Sequence, residues 1–96
     1  MLILITYDVC TEDSAGRKRL RLVAKECVNY GRRVQNSVFE CEINYAKWRA
    51  VKNTLEKIVD PNKDSLRYYY LGEKGRTKIE HYGIDNSIDM NEPLIL

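Results

Sequence analysis

A carboxylate ends the first apolar run of this 96-residue chain, where Leu2-Ile3-Leu4-Ile5-Thr6-Tyr7 leads into Asp8. A strand there delivers Asp8 to the point where a loop opens, with Tyr7 on the opposite face. A carboxylate so placed is either a turn aspartate satisfying nearby backbone groups or a hard oxygen ligand of the kind Mg²⁺ prefers. One acid per chain is a thin metal site. A two-fold axis near Asp8 would set a second copy of the same carboxylate opposite the first, and a hard cation between them would relieve their repulsion. Water on such a cation is a better nucleophile toward a phosphodiester. Asp8 is therefore a candidate catalytic and metal-binding residue, with Mg²⁺ the cation such a site would take, beside the reading as a turn aspartate.

A second cluster suits a polyanion. From Arg17 to Arg33 seven basic residues (Arg17, Lys18, Arg19, Arg21, Lys25, Arg32, Arg33) stand against one acid, Glu26. From Ile79 to Leu96 there are four acids and no Lys or Arg, so the net charge of +2 hides a strong asymmetry. A solvated helix face would explain a basic cluster, but clustered guanidinium groups also match successive phosphates. Arg17, Lys18, Arg19, Arg21 and Arg33 are the expected nucleic-acid-binding residues, and Arg17 with the start of a helix could hold a phosphate. Tyr68, Tyr69 and Tyr70 are consecutive, must face both sides of a strand, and read mainly as packing residues. The lone His81 reads as a packed or surface histidine. Cys10, Cys27 and Cys41 are odd in number and lack metal-ligand spacing, as small core residues in a reducing compartment would.

These residues need elements to hold them. Leu2–Tyr7 reads as a strand and Ala15–Tyr30 as a helix, capped by Asp13 or Ser14. Leu20, Val23, Ala24 and Cys27 form its apolar stripe, with Lys18, Arg21 and Lys25 opposite. Gly31 is expected to stop it by accepting a positive φ. Arg33–Asn36 and Ser37–Ile43 read as strands that change over at Asn36-Ser37. Phe39, Cys41 and Ile43 alternate with Val38, Glu40 and Glu42. Asn44 caps a second helix, Tyr45–Val59, with Trp48, Val51, Leu55 and Ile58 as its stripe, ended by Asp60-Pro61-Asn62. Ser65–Gly72 is a further strand with Leu66, Tyr68 and Tyr70 on one face. Gly72–Lys78 is a basic loop, and Ile79–Gly83 a short strand.

The order β-α-β-β-α-β plus a C-terminal extension specifies an α+β, ferredoxin-like fold with both helices on one sheet face. The chain is read as one domain over residues 1–96, with residues 79–96 as an extension exchanged between copies. Apolar residues on both sides of the first strand leave the other sheet face in need of cover, so a homodimer packed sheet to sheet is expected. Hydrophobic residues at 44% and charged residues at 31%, evenly interspersed, exclude a disordered chain. Uninterrupted apolar stretches such as Leu2–Ile5 are too short to span a membrane, and a cytoplasmic location with no membrane partner is expected.

Several segments together resemble the small CRISPR-associated endonuclease family, the smaller of the two proteins common to the spacer-acquisition machinery. They are Ile3-Leu4-Ile5-Thr6-Tyr7-Asp8, Lys18-Arg19-Leu20-Arg21, Tyr30-Gly31, Arg33-Val34-Gln35-Asn36-Ser37-Val38-Phe39-Glu40, Asp64-Ser65-Leu66-Arg67, Glu80-His81-Tyr82-Gly83 and Pro93-Leu94-Ile95-Leu96. The pattern is closest to the type I-C branch. The resemblance implies a ferredoxin-like homodimer that swaps its C-terminal strand, with Asp8 as the metal-binding, catalytic aspartate. Tyr7, Ser37 and Phe39, inside the matching segments, are expected to support the site. It further implies an Mg²⁺-dependent nuclease acting on double-stranded DNA or single-stranded RNA. A larger CRISPR integrase subunit is the implied partner, bridged by this dimer while it holds a DNA duplex. The competing reading is a non-catalytic duplex-binding scaffold. A small-molecule-sensing or RNA-binding module of the same fold has no glycine-rich phosphate loop or RNA-recognition consensus behind it.

Overall fold

A computed structural model describes residues 1–72 and 77–84. Seven elements follow in order: β1 (Leu2–Asp8), α1 (Ser14–Tyr30), β2 (Arg32–Gln35), β3 (Val38–Glu42), α2 (Tyr45–Ile58), β4 (Ser65–Leu71) and β5 (Thr77–Gly83). The strands form one five-stranded sheet in the order β2-β3-β1-β4-β5, with every neighbouring pair antiparallel. β1 is central. Its Ile3, Ile5 and Tyr7 alternate inward and join Phe39, Cys41, Leu66 and Tyr68 of the flanking strands in the core.

Both helices cover this inward face. From α1 come Val23 and Cys27, and from α2 Trp48, Val51 and Leu55, all buried. Leu20 and Ile58 of the expected stripes lie half-buried against the same cluster. Trp48 meets the ring of Tyr68 edge-on at 5.0 Å and donates its indole N–H to the Tyr70 hydroxyl at 3.0 Å, so the largest core side chain has no unmet polar atom. Burial pushes the Cys27 thiol up to about 12, which keeps it protonated and inert, as a core cysteine should be.

Two helix caps and one turn agree with the sequence, and one cap differs. Asp13 accepts from the Gly16 amide at 2.8 Å and Asn44 from the Lys47 amide at 2.8 Å, each satisfying an otherwise orphaned helix donor. The β2–β3 turn falls at Asn36-Ser37. Gly31, however, is extended (φ −145°, ψ −172°) and uses no positive φ. Glycine is needed there for clearance: a Cβ would lie 2.7 Å from the Glu40 carbonyl oxygen and 2.8 Å from Cys41 Sγ. β5 begins two residues earlier than the periodicity suggests, so Thr77 and Lys78 of the expected basic loop belong to a strand. It pairs with β4 of its own chain, from Ser65 opposite Gly83 to Leu71 opposite Thr77. The rest of the basic loop, residues 73–76, and the tail from 85 to 96 lie outside the described residues. No described helix is long and apolar enough to cross a membrane.

Candidate functional site

The second sheet face carries Leu2, Leu4, Thr6 and Asp8 from β1, and no described helix covers it. Because side chains alternate, burying Tyr7 among the helices forces Asp8 to the other side, where it is exposed. The register sets Asp8 opposite Ser65, and Thr6 between Arg67 on β4 and Val38 on β3. Across β4, Arg67 faces His81 on β5. Thr6, Tyr7, Asp8, Ser65, Arg67, Tyr69 and His81 thus line one shallow depression of about 280 Å³. Arg67 and His81 come from segments more than fifty residues beyond Asp8, and only the strand pairing brings them to it.

Behind the depression, the three expected supporting residues do meet. The Tyr7 ring stacks on Phe39 with centroids 6.1 Å apart, and the Tyr7 amide donates to the Ser37 carbonyl at 3.1 Å. Those contacts fix the strand immediately before Asp8. Arg33 lies on the helix side of the sheet, its guanidinium 5.1 Å from the Phe39 ring centroid, a cation–π distance.

The basic cluster separates into different surroundings. Arg17, Lys18 and Arg21 are exposed on the outer side of α1. Arg19 is placed otherwise: its Nε donates to Asp64 Oδ2 at 2.7 Å and its Nη2 to Oδ1 at 3.3 Å. Asp64, 0% exposed, is the one buried charged residue among those described. It also accepts the Cys10 amide at 3.0 Å and the Asp60 amide at 2.8 Å. Burial alone would raise its carboxyl, but the Arg19 guanidinium and the two amides prevail and hold it below the usual carboxylate range. Asp64 therefore ties together the chain just after Asp8, the first helix and the entry to β4. No sequence pattern separates it from Asp60, the other acid of the same loop.

A metal is half provided for. Among the described residues, no three or more His, Cys, Asp or Glu converge to hold an ion. Asp8 with the hydroxyls of Thr6 and Ser65 is an all-oxygen set of the type hard cations take, but one carboxylate shares the depression with the Arg67 cation. The donors fit a divalent ion once a second carboxylate arrives.

Residues 1–79 match the family model described as CRISPR associated protein Cas2. The chain belongs to the Cas2 family. It is 54% identical over 95 residues to the CRISPR-associated endoribonuclease Cas2 3 of Rhodospirillum rubrum, covering 99% of this chain and 100% of that one. It is 55% identical to the CRISPR-associated endonuclease Cas2 of Halalkalibacterium halodurans, covering 99% of each. Among solved structures, Streptococcus pyogenes Cas2 superposes with a TM-score of 0.70 at 57% identity, over 77% of this chain and 89% of that one. The family is thus one of CRISPR-associated nucleases, enzymes that hydrolyse phosphodiester bonds, and the seven-element α+β architecture is that of a solved Cas2.

Proposed function

We propose that this Cas2 chain works as a homodimeric, Mg²⁺-dependent endonuclease acting on double-stranded DNA or single-stranded RNA during spacer acquisition, in the cytoplasm. The observation that carries the reading is Asp8: an exposed carboxylate at the end of the central strand, on a sheet face that its own helices leave open. The strand order supports the ferredoxin-like assignment and, with Leu2, Leu4, Val38, Tyr69 and Leu71 half-buried on the open face, a second copy packed sheet to sheet. The extension, residues 79–96, would join the copies. β5 itself, at the start of that extension, pairs with β4 of its own chain. Asp8 of each copy would then hold the cation. When bound, such a cation lowers the pKa of a coordinated water and screens phosphate charge. Ser65, opposite Asp8, offers a hydroxyl to the same space, and Tyr7, Ser37 and Phe39 keep the strand end rigid. The sequence pattern favours the type I-C branch.

A second reading has its own observation. Arg17, Lys18 and Arg21 are exposed on α1, on the side of the sheet away from Asp8. They suit a scaffold that holds a DNA duplex for the larger CRISPR integrase subunit, with cleavage incidental. Asp8→Ala separates the two. Hydrolysis should be lost while dimer and duplex binding persist. Full cleavage by a contamination-controlled variant would refute the nuclease centre, and undiminished spacer acquisition by an inactive variant would favour the scaffold.

A further inference from the structure

The depression at Asp8 contains its own cation, and neither composition nor the basic cluster on α1 points to it. Arg67 sits two residues along β4 from Ser65, the residue opposite Asp8, so Asp8 and Arg67 are diagonal neighbours on one face of adjacent strands. Such neighbours lie about 7–8 Å apart along the backbone. A long side chain can span that distance, yet no ion pair joins Arg67 to Asp8, which leaves the guanidinium available to a phosphate. No described carboxylate comes within 4 Å of the Arg67 guanidinium. Its one described side-chain hydrogen bond is a long one, 3.5 Å from Nη2 to His81 Nδ1.

His81 is itself fixed. Its Nε2 lies 2.8 Å from the Ile84 carbonyl oxygen, and a carbonyl only accepts, so Nε2 carries the hydrogen and Nδ1 of the neutral ring is left as an acceptor facing Arg67. One N–H of the guanidinium is thereby oriented, and the others have no side-chain partner among the described residues. A half-buried fork of donors beside an acid, in a concave site, has the geometry that binds a phosphate bidentately.

We propose that Arg67 grips the non-bridging oxygens of the substrate phosphodiester beside Asp8, with His81 as the residue that positions it. The inference rests on Asp8 as the nuclease centre. It assigns the local phosphate contact to β4 rather than to α1, from which the sheet separates the depression.

The test measures binding and cleavage apart. Binding of a labelled DNA duplex and of a labelled single-stranded RNA is followed against salt in EDTA, where no metal contributes. Arg67→Ala and Arg67→Gln should each lower the salt slope by about one per protomer. In the cleavage assay they should raise KM about tenfold or more, with a smaller change in kcat. The nucleic acid showing the larger loss identifies the one held at this site. His81→Ala should raise KM less, and His81→Asn, which can still offer Arg67 an acceptor, should recover part of it. A folded Arg67 variant with unchanged slope and KM overturns the proposal. So does loss of the dimer by both Arg67 variants, which would make Arg67 an intersubunit tie. Because the slope is read without metal, failure of the Asp8 variant to lose cleavage would discard the nuclease centre and leave the Arg67 result readable.

Discussion

Replacing Asp64 with Asn changes one atom type and should unsettle the whole site. The carboxylate accepts four hydrogen bonds, from the Cys10 and Asp60 amides and from two nitrogens of Arg19. All four partners are donors. An amide in the same place keeps one acceptor oxygen but turns its NH₂ toward the donors on the other side. Two bonds are lost, two donors are left facing a donor, and the charge that matched Arg19 disappears. Removing one partner of a buried pair typically costs about 3–5 kcal/mol. The lower end, about 3 kcal/mol, applies here because the Arg19 side chain, 16% exposed, has a route to water. For a chain of this size, whose total stability is on the order of 5–14 kcal/mol, that is a large share.

Trp48 is the only tryptophan and is buried, so urea unfolding followed by its fluorescence reports the transition directly. A loss of about 3 kcal/mol moves the urea midpoint down by roughly 1–3 M at the m-values of small domains. Thermal unfolding should fall by on the order of 10–25 °C. At temperatures where the variant remains folded, nuclease activity should still be reduced, because the Cys10 amide held by Asp64 lies two residues past Asp8. A midpoint shift equivalent to less than about 1 kcal/mol, with unchanged slope, would refute the argument that this buried acid organises the site.

The remaining predictions are shorter. Gly83→Ala should destabilise the fold by more than about 1–3 kcal/mol: Gly83 has a φ of +98°, and a Cβ there would lie 2.1 Å from the Asp64 carbonyl oxygen. Hydrogen exchange should show β5 loosening from the Ser65 end of β4, and unchanged protection would contradict this. The acid response follows from three carboxyls held below their ordinary range. Asp64 is held by Arg19 and two amides against its burial, Asp13 chiefly by the Gly16 amide, and Glu80 by the Tyr70 hydroxyl and Lys52. Depressed folded values mean that the stabilisation is complete above the unfolded carboxyl pKa near 4 and is lost as pH falls through the folded values. Denaturant midpoints should therefore show no loss from these groups between pH 7 and pH 5, then fall below about pH 4, less steeply in the Asp64→Asn variant. An equally steep fall in that variant would remove Asp64 from the account.

What the sequence made legible was governed by local physics. The apolar stripe Trp48, Val51, Leu55 needs only the helical period, and Asn44 and Asp13 cap by contacts three residues away. The alternation through Phe39 and Cys41 is equally local. Asp8 could be placed on the face opposite Tyr7 for the same reason. The features that escaped depend on which distant segments meet. Arg19 looked like its basic neighbours because its partner is forty-five residues further on. Asp64 looked like a loop acid because its burial is imposed by three separate segments. Gly31 suggested a left-handed residue, whereas its real constraint is the approach of Glu40 and Cys41 from β3. Arg67 and His81 belong to family-like segments, but their place beside Asp8 follows from the β1–β4–β5 register alone.

That register also bears on how one small protein could both hold and cut nucleic acid. The cations of α1 and the carboxylate of Asp8 share an end of the molecule but not a face, because α1 begins only after the chain has crossed from the strand to the helix layer. Asp8 is on the sheet face that the helices leave open, whereas Arg17, Lys18 and Arg21 are exposed on a helix of the other layer. They can hold a duplex along the outside. The open face carries its own countercharge, since Arg67 is the described basic residue that lines the depression. The two activities are in this way assigned to separate surfaces. Weakening the surface on α1 should reduce binding without changing the chemistry of a bound substrate, whereas altering the open sheet face should change how the scissile phosphate is held even when overall binding is nearly intact.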